Sequence, residues 1–242
     1  MTNHNVLTML TIPLSDRSLA EAATLTSHAF HNSPSYREIM PDPALRSGFL
    51  LWLFERNLWL RTESDSARCV FDKKSGSSGA GGGGGGGAEE QEEPEPEEQE
   101  LVMFFMLEKP GLKQLTTWDM LRAGVLSGLF VHGVPAMRRM VESKDWFQAR
   151  EREVLGARAG TVARLERVAV LPSRQGQGVG SSILATALKE MDELGLAVFL
   201  ATQEERNVVF YRRLGFEVIA DEVCPIGGSY RNWMMLREPK PA

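Results

Sequence analysis

Cysteine is scarce in this 242-residue sequence: Cys69 and Cys224 are the only two, too few for a disulfide framework and without the spacing of a zinc site. A reducing compartment suits such a chain, and we expect a cytoplasmic protein. Long apolar runs are also missing. The longest, residues 101–107, falls far short of the roughly 20 residues that cross a bilayer. The opening MTNHNVLTMLTIPLSDRS has no cationic stretch ahead of an apolar one, so neither secretion nor a membrane partner is expected. There is no surplus of basic charge: 27 Lys and Arg face 32 Asp and Glu, a net of −5. No basic run is dense enough to follow a phosphate backbone, which argues against a nucleic-acid partner. The four histidines, His4, His28, His31 and His132, share no ligand spacing, and no metal is expected.

What is present is the material of a globular core, with 43% hydrophobic and 24% charged residues,. One segment departs from it. Residues 75–100, SGSSGAGGGGGGGAEEQEEPEPEEQE, join a glycine run to a Glu/Pro run without one large apolar side chain. Such a stretch cannot bury enough surface to order itself and is expected to be a disordered insert. Strand-like runs at 67–72 and 101–107 flank it, which predicts an expanded hairpin connection inside a single domain spanning 1–242. Ahead of it, residues 6–12 read as a strand. Ser15 reads as the N-cap of a helix ending near Asn32, and residues 45–60 as a second helix. After it, residues 116–129 and 134–141 read as helical pieces interrupted near Gly133-Val134-Pro135.

The last third is more regular. A β-rich run at 162–170 stops at Pro172, and a helix at 178–194 closes on Gly195,. A strand at 197–201, a short helix at 207–214 ending on Gly215, and strands near 216–223 and 233–236 complete the order. This succession implies an α/β arrangement with one parallel crossover pair. Between the first of these strands and its helix lies Leu171-Pro172-Ser173-Arg174-Gln175-Gly176-Gln177-Gly178-Val179-Gly180-Ser181-Ser182. Small residues there let backbone N–H groups and a helix N-terminus approach an anion such as a phosphate. The turn has no Gly-Lys-Ser/Thr of a nucleoside triphosphatase. Nor is it a dinucleotide fingerprint, whose third glycine would fall on Ser181.

Gln175-x-x-Gly178-x-Gly180, followed some thirty residues later by Phe210-Tyr211-x-x-Leu214-Gly215-Phe216, resembles the paired signatures of the GNAT superfamily of acyl-CoA N-acyltransferases. Within it, Phe199-Leu200-Ala201-Thr202, Arg206-Asn207 and Trp233-x-Met235-x-Arg237-x-Pro239 look most like the puromycin N-acetyltransferase group of small-molecule enzymes. The likeness covers residues 162–239 clearly. It covers the N-terminal helix and the loop through Pro34, Tyr36 and Pro41-Asp42-Pro43 more weakly.

The resemblance implies a mixed α/β GNAT-like fold: a twisted, mostly antiparallel sheet of about seven strands, flanked by helices, whose central parallel pair splays apart. It implies direct transfer of acetyl from acetyl-CoA to a primary amine in a ternary complex, so that proximity rather than a protein nucleophile provides the acceleration. The acceptor would be a small-molecule amine and the protein a monomer or homodimer. The alternatives are a protein or peptide N-acetyltransferase and a non-catalytic CoA-binding module. By the same resemblance the pyrophosphate would rest on Gln175, Gly176, Gln177, Gly178, Val179, Gly180 and Ser181, with charge added by Arg174. The pantetheine arm would pair with the backbone of Val168, Ala169 and Val170, and Asn207, or an N-cap role for that residue, would complete the site. Tyr211 matches the tyrosine that can protonate the leaving thiolate. The small-molecule relatives have Glu where this chain has Ala201. Glu166 is the substitute base, expected to share a strand face with Val168 and Val170; water is the other option. Phe30, Tyr36, Trp52, Phe105, Met106 and Trp118 are candidates for an acceptor pocket or for the core.

Overall fold

A computed structural model describes residues 9–62, 64–73, 99–112 and 117–241 of the chain. The expected insert lies outside them, except that Gln99 and Glu100 open a strand. Seven strands form one sheet in the order β1-β2-β3-β4-β5-β7-β6. They are β1 (Leu10–Pro13), β2 (Ala67–Lys73), β3 (Gln99–Glu108), β4 (Ala163–Val170), β5 (Val198–Thr202), β6 (Glu217–Cys224) and β7 (Tyr230–Arg237). Every pairing is antiparallel except β4 with β5. β2 and β3 form the expected hairpin, with Lys73 opposite Gln99 at its open end.

Three helices fill the chain between β1 and β2: α1 (Asp16–Phe30), α2 (Pro34–Ile39) and α3 (Pro43–Trp59). Ser15 caps α1 in extended conformation, and its N–H donates to Ser18 Oγ at 3.1 Å,. Asp42 caps α3 by accepting from the Ala44 N–H at 2.8 Å. The buried Arg46 guanidinium then donates to the carbonyls of Met40 (2.7 Å), Pro41 (2.6 Å) and His31 (3.1 Å). One side chain therefore ties together the two turns around α2, where water would otherwise have to satisfy those carbonyls.

Between β3 and β4 lie α4 (Thr117–Arg122), α5 (Ser127–Val131) and α6 (Val134–Leu155). The break at Gly133 falls where the sequence places it, but α6 runs fourteen residues past the predicted end at 141. Its second half carries Trp146, Phe147, Val154 and the buried Leu155 among charged residues. It is held from outside by ion pairs of Arg150 with Glu222 of β6 and of Glu151 with Arg164 of β4. Gly128 of α5 lies so close to Trp52 that a Cβ would sit 2.5 Å from the indole, so no larger residue fits. After β4 come α7 (Val179–Glu193) and α8 (Glu205–Arg213).

The sheet buries both faces. On one, Phe104, Met106 and Ala169 meet α1 and α3, while Phe199 and Met234 meet the end of α6. On the other, Met103, Phe105, Leu165, Val198 and Leu200 meet α7 and α8. Of the acceptor-pocket candidates, Trp52, Phe105 and Met106 belong to this core, and Trp118 is 73% exposed.

Candidate functional site

The parallel pair has only two registered positions, Ala163 with Val198 and Arg164 with Phe199. Beyond them both strands continue without pairing to each other, and a cavity of about 940 Å³ occupies the gap. Its volume is at the upper end of the range for small-molecule sites.

The cavity is lined from both faces of the sheet, and its two sides are termed lobes. The lobe facing α7 and α8 is lined by Val168, Val170 and the glycine turn. Pro172 opens that turn as a single 3-10 turn, and Gly176 and Gly178 take positive φ (73° and 82°) that side chains disfavour,. Gly178 is the N-cap of α7, so the first N–H groups of that helix have no intrahelical partner and carry its positive end. The turn is held from behind by Gln175 Nε2, which donates to the Val170 carbonyl at 2.9 Å. A Cβ on Gly180 would lie 3.4 Å from Val170 Cγ2. The sequence-derived residues Gln175, Gly176, Gly178, Val179, Gly180 and Ser181 all line this lobe. Gln177 does not; its side chain donates to the Ser173 carbonyl. The side chain of Ala169 turns into the α1–α3 core. Arg174 lines the cavity but is ion-paired with Asp72 at 3.3 Å, so the solvent-borne charge expected of it is already matched. Arg206 and Arg213 of α8, which flank Asn207 and Tyr211 in the sequence, line the cavity as well, a placement that the motifs alone do not give.

Asn207 is not the cap of α8. Glu204 takes that position, and Asn207 Nδ2 reaches back to Thr202 Oγ1 at 3.1 Å, fastening the first turn of α8 to the end of β5. Tyr211, one turn further on, lines the cavity from a bed of Phe210 and Phe216, whose rings are 5.1 and 5.7 Å away. Burial raises its phenol pKa above the ordinary value, which keeps the proton on oxygen.

The other lobe lies between α1–α2 and α6. Phe30 and Tyr36 stand on one side, Phe147 and Glu151 on the other, and Arg164, Glu166 and Phe199 rise from the sheet. Glu166 reaches this lobe for a reason the sequence did not show. Phe104 pairs with Ala169 and Met106 with Glu166, so β4 has one residue more than β3 across that interval. This β-bulge coincides with Arg167 at φ 52°, a conformation that costs a non-glycine residue about 1–3 kcal/mol. The alternation reverses there: Val168 and Val170 pack toward α7, whereas Glu166 sits beside Met106 on the α1 face. The expectation that Glu166 shares a face with Val168 and Val170 is therefore corrected. Its carboxylate contacts Arg167 Nη1 at 3.3 Å. Neither cysteine lines the cavity; both are buried, and burial pushes the Cys69 thiol up to about 11.

Residues 144–218, from the middle of α6 to the start of β6, match the model of the acetyltransferase (GNAT) domain. That stretch of the chain is similar to a GNAT acetyltransferase domain. A solved structure described as histone acetyltransferase HPA2 and related acetyltransferase, from Corynebacterium glutamicum, superposes with a TM-score of 0.59 at 17% identity, covering 97% of this chain and 98% of that one. The polyamine N-acetyltransferase of Drosophila melanogaster superposes at 0.53 with 10% identity, covering 95% and 99%. At these identities the likeness is one of fold. The protein thus shares with them the mixed α/β sheet with a single parallel pair, and the matched segment contains the glycine turn, both edges of the gap and Tyr211. Among its described residues no helix is long and apolar enough to cross a membrane.

Proposed function

We propose that the protein transfers acetyl from acetyl-CoA directly to a primary amine of a small molecule, with both reactants bound at once. The observation that carries this reading is the gap between β4 and β5, with an anion-receptive glycine turn at one end and the Tyr211 phenol on its wall. A diphosphate fits the turn: Gly176, Gly178 and Gly180 place no side chain over the N–H groups of residues 175–181, and the helix end supplies complementary charge. The backbone at Val168, Ala169 and Val170 has no partner on β5, so its edge away from β3 offers ladder positions to an amide-bearing arm, and Asn207, held by Thr202, borders the same channel.

Acetyl-CoA supplies the activated acyl group. The two lobes hold the reactants on opposite sides of one opening, so that an amine from the α6 side meets the thioester carbonyl within the gap. As the new C–N bond forms and the C–S bond breaks, Tyr211 gives its proton to the departing sulfur. The proton lost by the amine passes to Glu166, or to water connected with bulk solvent. Ala201 contributes no carboxylate, which leaves Glu166 as the acid-base group of the α1–α6 lobe free of a close bidentate partner. A peptide acceptor would draw the same chemistry to a different product, and a CoA-binding module would show no acceptor-dependent thiol release.

Calorimetry with acetyl-CoA tests the reading. Binding in the micromolar range, weakened at least tenfold by Gly178→Val, is expected. No binding at millimolar ligand, or binding indifferent to that substitution, would end it.

A further inference from the structure

We propose that the acceptor is a monoamine on an aromatic or bulky apolar body, and that Phe147 of α6 selects it. This inference rests on the acetyl-transfer reading above and concerns only the α1–α6 lobe. The walls of that lobe are rings: Phe30 and Tyr36 meet edge to face with centroids 6.0 Å apart, and Phe147 faces them from α6, braced by Trp146 at 5.1 Å and Tyr230 at 6.4 Å. Phe199 and Met234 also line it, and Ala201 leaves room where a longer residue would intrude.

The charges of the lobe are matched. Arg164 Nε donates to Glu151 at 2.6 Å, and Arg167 holds Glu166 at 3.3 Å. Two cations face two carboxylates, and the other charged residues that line the cavity, Arg174, Glu204, Arg206 and Arg213, belong to the glycine turn and to α8 with its cap, where Glu204 is itself paired with Arg206. An acceptor carrying its own carboxylate would need a guanidinium released from one of these pairs. A polyamine would need a second carboxylate released in the same way. Each exchange strips a charge of its partner in a partly buried site, an expensive step. Tyr36 adds no charge, since burial raises its pKa against the pull of Arg167. One amine on an uncharged ring-bearing or branched body avoids these costs and fills an aromatic slot.

Thiol release with the full chain and acetyl-CoA, against 2-phenylethylamine, spermidine, alanine and a lysine-containing peptide, is the test. We expect kcat/KM for 2-phenylethylamine to exceed that for each of the others by about tenfold or more, within the range over which apolar pockets discriminate. Phe147→Ala should raise KM for 2-phenylethylamine about tenfold while KM for acetyl-CoA changes less than twofold. Phe147→Glu should shift the preference toward spermidine by about tenfold, a gain that a merely unfolded variant cannot show. Preference for spermidine, alanine or the peptide by the wild type, or absence of turnover with all four while acetyl-CoA binds, overturns the acceptor assignment alone. Failure of acetyl-CoA to bind overturns the acetyl-transfer reading beneath it.

Discussion

Tyr211 shows how one residue can be both packed and poised. Its ring is part of the α7–α8 core, yet the same side chain borders the cavity. Replacing it with Phe keeps the packing and removes only the hydroxyl to which the proposed mechanism assigns proton donation. Steady-state thiol release should show kcat lowered about 10²–10³-fold with both KM values within threefold, while the midpoint of thermal unfolding stays nearly unchanged. Because burial raises the phenol pKa, its ionisation should produce no alkaline limb in the rate profile below about pH 10. Arg46 acts at the same scale on the opposite wall, where its three carbonyl contacts set the turns that present Phe30, Ser33 and Tyr36 to the lobe.

At the scale of elements, α7 is locked to β7 by Asp192 and Arg237, two hydrogen bonds of 2.7 Å around a guanidinium only 4% exposed. Asp192→Asn should cost about 3–5 kcal/mol in denaturant unfolding, because it leaves the arginine buried without its counter-charge. The guanidinium's hydrogen bonds hold the Asp192 carboxyl below its ordinary pKa. A depressed folded pKa gives stability that is fully present above the unfolded value near 3.9 and is lost as pH falls through the folded one. The wild type should therefore lose stability on acidification below about pH 4 more steeply than the Asn variant.

The sequence made the carboxy-terminal elements legible because Pro172, Gly178, Gly195 and Gly215 punctuate them and each helix has a clear apolar stripe. It concealed the length of α6, whose second half is set by partners on β4 and β6, far away in the chain. It also concealed the bulge at Arg167, since an extra residue exists only relative to the register of β3. The N-cap assignment of Asn207 failed because Glu204 begins the helix one turn earlier and leaves the amide free to reach Thr202. The glycine turn, Glu166 and Tyr211 could be named in advance, whereas Phe147, Glu151 and Arg164 could not, because only the tertiary fold brings α6 against β4.

For the whole molecule, the sheet is continuous from β1 to β6 only through the short seam at Ala163 and Arg164. The hairpin that leads into the insert opens at Lys73 and Gln99, at the far end of registered strands. Replacing residues 74–98 by Asn-Gly should preserve that register and stabilise the fold by about 1–2 kcal/mol, the loop-closure entropy saved. The midpoint of urea unfolding and retained binding of acetyl-CoA check this, and loss of folding would refute it.

The single extra residue in β4 has a wider effect than its size suggests. Before Arg167 the even-numbered positions face the chamber proposed for the acceptor, and after it the chamber proposed for the donor, so a half-step of phase makes one strand the shared boundary of two chambers. A change that straightened it would exchange the tenants of both at once, and affinity for donor and acceptor would decline together.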